Sequence, residues 1–231
     1  MTRIQIITTV LFLGIFCFDC RKDTSNRKGF VGFISGNVHI QRDGKSIKPE
    51  TNQEIVGGDV IVTGDKSIVT VVFGENSTVL EIQSNSKFHF NEIANDKTFF
   101  QETGASWIVS NKLLKGEGIT LQTPSTTAGV RGTKFYTTVY EDMIFTCHCE
   151  GKIELENKVD KSKRTNEQDY LSVTRGNKTI YITPADSQKE GISYNHNHSE
   201  IQNSPLGPQN KMSKEEFGLL ISLVKKKLDS P

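Results

Sequence analysis

Apolar and polar residues alternate along most of the chain. Val69, Val71 and Phe73 fall on one face of an extended segment, and the turn residues Gly74-Glu75-Asn76-Ser77 follow. Leu80 and Ile82 come next, then Ser84-Asn85-Ser86, then Phe88 and Phe90; Ile119 and Leu121, Phe135, Thr137 and Val139, and Ile153 and Leu155 repeat the theme. Alternation with period two, punctuated by Gly, Asn and Ser, predicts half-buried strands. No long helical period interrupts residues 29–155, which argues against alternating strands and helices. The expected fold is mainly β: a β-sandwich or a short solenoid-like stack of strands, with one C-terminal α-helix.

The periodicity changes twice. Residues 156–186 begin with a charged stretch, expected as a solvated loop, and continue into a terminal hairpin around Arg175-Gly176-Asn177-Lys178. Residues 187–212 are polar, with Pro205 and Pro208, and read as a linker. The last segment, 213–229, carries an amphipathic helix: Ser213 is placed to cap it, Glu216 to reciprocate, and Phe217, Leu220, Ile221, Val224 and Leu228 form one stripe.

The N-terminus has a different character. Met-Thr-Arg precedes an almost wholly apolar run, Ile4–Phe18, which stops at Asp19-Cys20 and Arg21-Lys22-Asp23. A basic start, a short apolar run and an abrupt polar switch predict a secretory signal over 1–20, and the run falls short of the roughly 20 residues a membrane helix needs. It is similar to a bacterial lipoprotein signal of the looser, spirochaete-like kind. Cys20 is the candidate lipidated residue and Cys17 the second; Cys17 and Asp19 replace the leucine-like and small residues usual at their positions. Residues 21–28 are then a polar tether, and the expected location is outside the cytoplasm, on a membrane, facing periplasm or cell surface.

Composition narrows the function. Lys plus Arg (28) nearly cancels Asp plus Glu (27), so no basic field is available to collect nucleic acid. Four cysteines are too few for a disulfide scaffold. No G-x-S-x-G, G-x-x-x-x-G-K-[ST] or H-E-x-x-H motif occurs, so neither an enzyme nor a small-molecule substrate is indicated. The sharpest chemical hint is Cys147-His148-Cys149. On a strand the two cysteines share a face, about 6.5–7 Å apart at Cα, and the histidine points away. Two thiolates on one face suit zinc or copper, and His196 and His198 could complete a Cys2His2 set. A labile disulfide or buried unpaired thiols are the alternatives.

Three ordered motifs carry a family likeness across 29–155. Gly36-Asn37-Val38 opens it. Gly57-Gly58-Asp59-Val60-Ile61-Val62-Thr63-Gly64-Asp65-Lys66-Ser67 follows, and then Thr123-Pro124-Ser125-Thr126-Thr127-Ala128-Gly129-Val130-Arg131-Gly132-Thr133-Lys134-Phe135. They resemble the FecR domain, the periplasmic β-domain of iron-transport sigma regulators. The residues make physical sense on their own account: Gly58, Gly64, Gly129 and Gly132 are expected to supply turns, Asp59 and Thr63 to close them, and Pro124 to end a strand, with Thr133 part of the same structural signature. Arg131 is expected to act mainly as a structural clamp. The resemblance implies a membrane-tethered module that binds an envelope protein. No counterpart of the cytoplasmic anti-sigma segment of the family's regulators is expected here, so the resemblance is not taken to imply a sigma regulator.

Overall fold

The computed structural model describes residues 28–74, 78–94, 96–110, 117–166, 170–192 and 212–230, apart from the side chains of Arg131 and Asn166. Short strands come first: β1 (Gly29–Ser35), β2 (Val38–Arg42), β3 (Lys45–Ile47), β4 (Glu54–Ile55), β5 (Val60–Thr63), β6 (Ile68–Phe73), β7 (Thr78–Ile82) and β8 (Lys87–Glu92). Three strands of 15 residues follow, β9 (Asp96–Ser110), β11 (Thr126–Tyr140) and β12 (Met143–Asn157), with β10 (Gly118–Gln122) between the first two. Then come β13 (Lys163–Asn166), β14 (Tyr170–Arg175), β15 (Lys178–Ile182) and the helices α1 (Pro184–Lys189) and α2 (Lys214–Asp229).

The long strands make one hydrogen-bonded network into a two-layer sandwich. One layer runs β4-β1-β6-β7-β9-β11-β12-β14-β15, through the second halves of β9 and β11 and the first half of β12. The other runs β3-β2-β5-β8-β9-β10-β11-β12-β13, through the opposite halves. β9 and β10 pair in parallel. Each long strand crosses between layers at a glycine with positive φ: Gly104 (79°), Gly132 (58°) and Gly151 (86°). At Gly151 the space is also tight, since a Cβ there would stand 2.4 Å from the Gly132 carbonyl oxygen.

The core lies between the layers, where alternating positions of both point inward. Phe73, Phe88, Phe90 and Phe99 meet there with ring centroids 5.4–6.4 Å apart. Burying each such side chain contributes about 1.5–3 kcal/mol. A second cluster forms where Leu220, Leu223, Val224 and Leu228 of α2 pack on Met143, Phe145, Val173, Ile180 and Ile182. The amphipathic helix thus covers its own sheet. Ser213 and Glu216 cap it reciprocally, with both bonds at 3.1 Å.

Two expectations are corrected. The charged stretch after Leu155 is not all loop: β12 continues to Asn157 and β13 pairs back on it. Lys163 Nζ lies 3.0 Å from Glu156 and 3.6 Å from Glu154, so these charges line the outer face of an edge hairpin. The segment 187–212, expected as linker, overlaps the last turn of α1. Thr183 caps that helix with Asp186 as its reciprocal partner, and Pro184 occupies the first turn.

Candidate functional site

β12 places its cysteines as strand geometry requires. Tyr136 lies opposite Cys147, and Phe135 opposite His148. Cys147 and Cys149 share a small apolar cluster with Trp107, Val109, Val79 and Tyr136, on the face of the layer turned away from the main core. The thiol of Cys149 points to Cys147, Sγ to Sγ 3.5 Å, well beyond the roughly 2.05 Å of a disulfide. Trp107 and Tyr136 stack at 5.0 Å with their planes inclined by 49°. Tyr136 donates to Gln83 Oε1 at 3.4 Å, and Gln83 donates to Glu81 Oε1 at 3.2 Å. Burial, with Cys147 and Glu81 nearby, pushes the Tyr136 hydroxyl up to about 12, so it stays protonated.

His148 faces the other way and is buried. Ser172 donates its hydroxyl proton to the Thr146 carbonyl at 3.2 Å, so at 3.0 Å the imidazole Nε2 must donate to Ser172 Oγ. That assigns the Nε2–H tautomer and leaves Nδ1 as a buried acceptor with no partner among the described residues. Burial, and secondarily the Arg164 charge, holds this histidine down to about 4. His148 stacks on Tyr170 at 5.3 Å. Beyond them Arg164 lies 4.0 Å over the Tyr181 ring, at the edge of a cleft of about 380 Å3 that also borders Lys163, Lys178, Asn177 and Asp160.

The signature residues turn inward. Asp59 is fully buried and accepts from Arg42 Nε and Nη2, both at 2.7 Å, and from the Val56 N–H at 2.9 Å. Thr63 donates to the Gln83 carbonyl at 2.6 Å and accepts from the Ser86 N–H at 2.9 Å. Pro124 sits in the turn between β10 and β11, where Lys158 grips the Thr123 carbonyl at 2.6 Å. Thr133 is buried, and its hydroxyl has no hydrogen-bond partner among the described residues. Gly58 (φ 92°) and Gly132 take the left-handed conformation as expected, but Gly64 and Gly129 do not. At the first turn Lys66 (φ 50°) carries the positive φ instead; Gly64 packs on Asn37, where a Cβ would come within 3.3 Å. Gly129 is an ordinary strand residue opposite Glu154. Sequence reasoning missed Arg42, Lys158 and Ser86, whose roles rest on contacts across turns and leave no local signal.

The structure brings Cys147 and Cys149 together. The remaining residues of the expected metal set, His196 and His198, and the expected lipidation residue Cys20 lie outside the described residues, as does the Arg131 side chain. Among the described residues no three His, Cys, Asp or Glu side chains converge as a metal site. No described helix is long and apolar enough to cross a membrane.

Residues 59–154 match the model of the FecR protein family. Two crystal structures of a protein described as a "putative anti-sigma factor" from Parabacteroides distasonis ATCC 8503, at 1.65 and 2.50 Å, are similar at 15% identity. Each alignment has a TM-score of 0.46 and covers 62% of this chain and 69% of that one. No curated protein matches the chain.

Proposed function

We propose that this protein is a non-enzymatic envelope module, tethered to the membrane by lipid on Cys20, that binds a protein partner and takes part in signalling. The observation that carries this reading is the FecR domain at 59–154, with its polar signature directed inward. Asp59 and Thr63, the residue types a catalytic site would present to a substrate, hold turns and strand ends instead. No small-molecule substrate or nucleic acid enters this proposal. Two experiments test its halves. Wild-type chain grown with an alkyne fatty acid should become labelled, and Cys20→Ala should lose the label; equal labelling refutes the anchor. A photo-crosslinker at Lys163, beside the Arg164 cleft, should trap one envelope protein in living cells, whereas one at the exposed Phe30 of β1 should not. Adducts at neither position refute the binding role.

A second reading has one observation in its favour. The 3.5 Å approach of the two sulfurs suits thiol chemistry, as a metal- or redox-sensing site of Cys147 and Cys149 that His196 and His198 would complete.

A further inference from the structure

The sulfurs of Cys147 and Cys149 stand 3.5 Å apart, on a strand whose residues two apart are about 6.5–7 Å apart at Cα. The register of β11 and β12 is irregular at this point. Phe135 faces His148 and Lys134 faces Glu150, which leaves Cys149 as the extra residue of a bulge. A bulge bends and twists its strand. Both sulfurs lie on the face that carries Trp107 and Tyr136. Their exposures differ: Cys147 is partly accessible, whereas Cys149 is 7% exposed beneath the Trp107 cluster.

We infer that this pair is a dithiol modification site that closes by exchange with a small exogenous disulfide. The inference rests on the thiol reading given above and selects the redox form of it. The Cys147 thiolate attacks one sulfur of the small disulfide, forming a mixed disulfide and releasing one small thiol. The Cys149 thiolate then attacks Cys147 Sγ, closing the Cys147–Cys149 bond and releasing the second. Two protein thiols are oxidised, one small disulfide is reduced to two thiols, and the protein's two protons end on those thiols. The asymmetry in exposure sets the order, with the accessible sulfur reacting first and the buried one resolving. Closure removes about 1.5 Å between the sulfurs, at a point where the strand register is already irregular.

The test uses the full chain, reduced and then exposed to glutathione disulfide, acid-quenched, alkylated and digested with trypsin. The fragment between Lys134 and Lys152 contains both cysteines and no other cleavage site, so Cys17 and Cys20 do not interfere. It should lose both alkylation sites and weigh two hydrogens less, with quenching of Trp107, the single tryptophan, that dithiothreitol reverses. Cys149→Ser should instead accumulate a glutathione adduct on Cys147. A wild-type fragment that keeps two alkyl groups, or carries only glutathione adducts, overturns the inference. If that fragment comes from a chain that holds zinc, and Cys147→Ser abolishes the zinc, the metal form of the thiol reading stands and only the exchange is lost. With neither oxidation nor zinc, both fall together.

Discussion

Replacing Asp59 by Ala tests the idea that the signature residues are internal clamps. The carboxylate is fully buried and receives two guanidinium bonds from Arg42 at 2.7 Å and one backbone bond from Val56 at 2.9 Å. Removing one partner of a buried ion pair costs about 3–5 kcal/mol, chiefly because the other charge is stranded. The Arg42 side chain is 25% exposed and can partly rehydrate, which places the expected loss at the lower end, about 3 kcal/mol. For a body of this size that is a fall of roughly 6–12 °C in melting temperature. Urea unfolding of wild type, Asp59→Ala, Arg42→Met and the double variant measures it; methionine retains the packing of the arginine stem. The double variant should lose clearly less than the sum of the single losses, with a coupling of at least about 1 kcal/mol. Additive losses, or an Asp59→Ala variant within about 0.5 kcal/mol of wild type, would refute the clamp.

Other consequences are equally measurable. Gly151→Ala forces a side chain into positive φ and against the Gly132 carbonyl, so chemical denaturation should register a loss above about 2 kcal/mol, whereas Gly176→Ala, at a turn with open space, should lose about 1–2. His148 binds its proton near 4 when folded and near 6.5 when unfolded, so its contribution is complete above pH 6.5 and disappears as pH falls toward 4. Stability should drop by about 3 kcal/mol across that window, and His148→Phe should flatten the slope in a pH series of thermal melts. Leu223→Ala in α2 should cost about 2–3 kcal/mol and raise hydrogen exchange in the helix before the sandwich, since its packing is confined to the second cluster.

The sequence pattern disclosed what depends on local repetition. The alternation at Val69–Phe73, Leu80–Ile82 and Phe88–Phe90 appears as buried positions of β6, β7 and β8. The helix cap at Ser213 and the shared face of Cys147 and Cys149 follow equally from local spacing. Other features required knowledge of what lies across a turn or above a sheet. Glu81 sits between Leu80 and Ile82 and by alternation belongs to solvent, yet it is 1% exposed, because this layer is buried on both faces at that point. Arg42 is one arginine among many until the fold sets it against Asp59. The charges after Leu155 obscured β13, since a four-residue edge strand of Lys163, Arg164, Thr165 and Asn166 has the composition of a loop.

Because β9, β11 and β12 each belong to both layers, the sandwich has no seam along which it could open. Separating the layers would break covalent chain at Gly104, Gly132 and Gly151, or else unravel each strand from its neighbours on both sides of its bend. The body is therefore topologically welded, and a force that pulls its two layers apart would be carried by backbone rather than by side-chain packing. Such a domain transmits tension as a rigid link, and the parts left to yield first are those outside the weld, the α2 helix and the hairpin it covers.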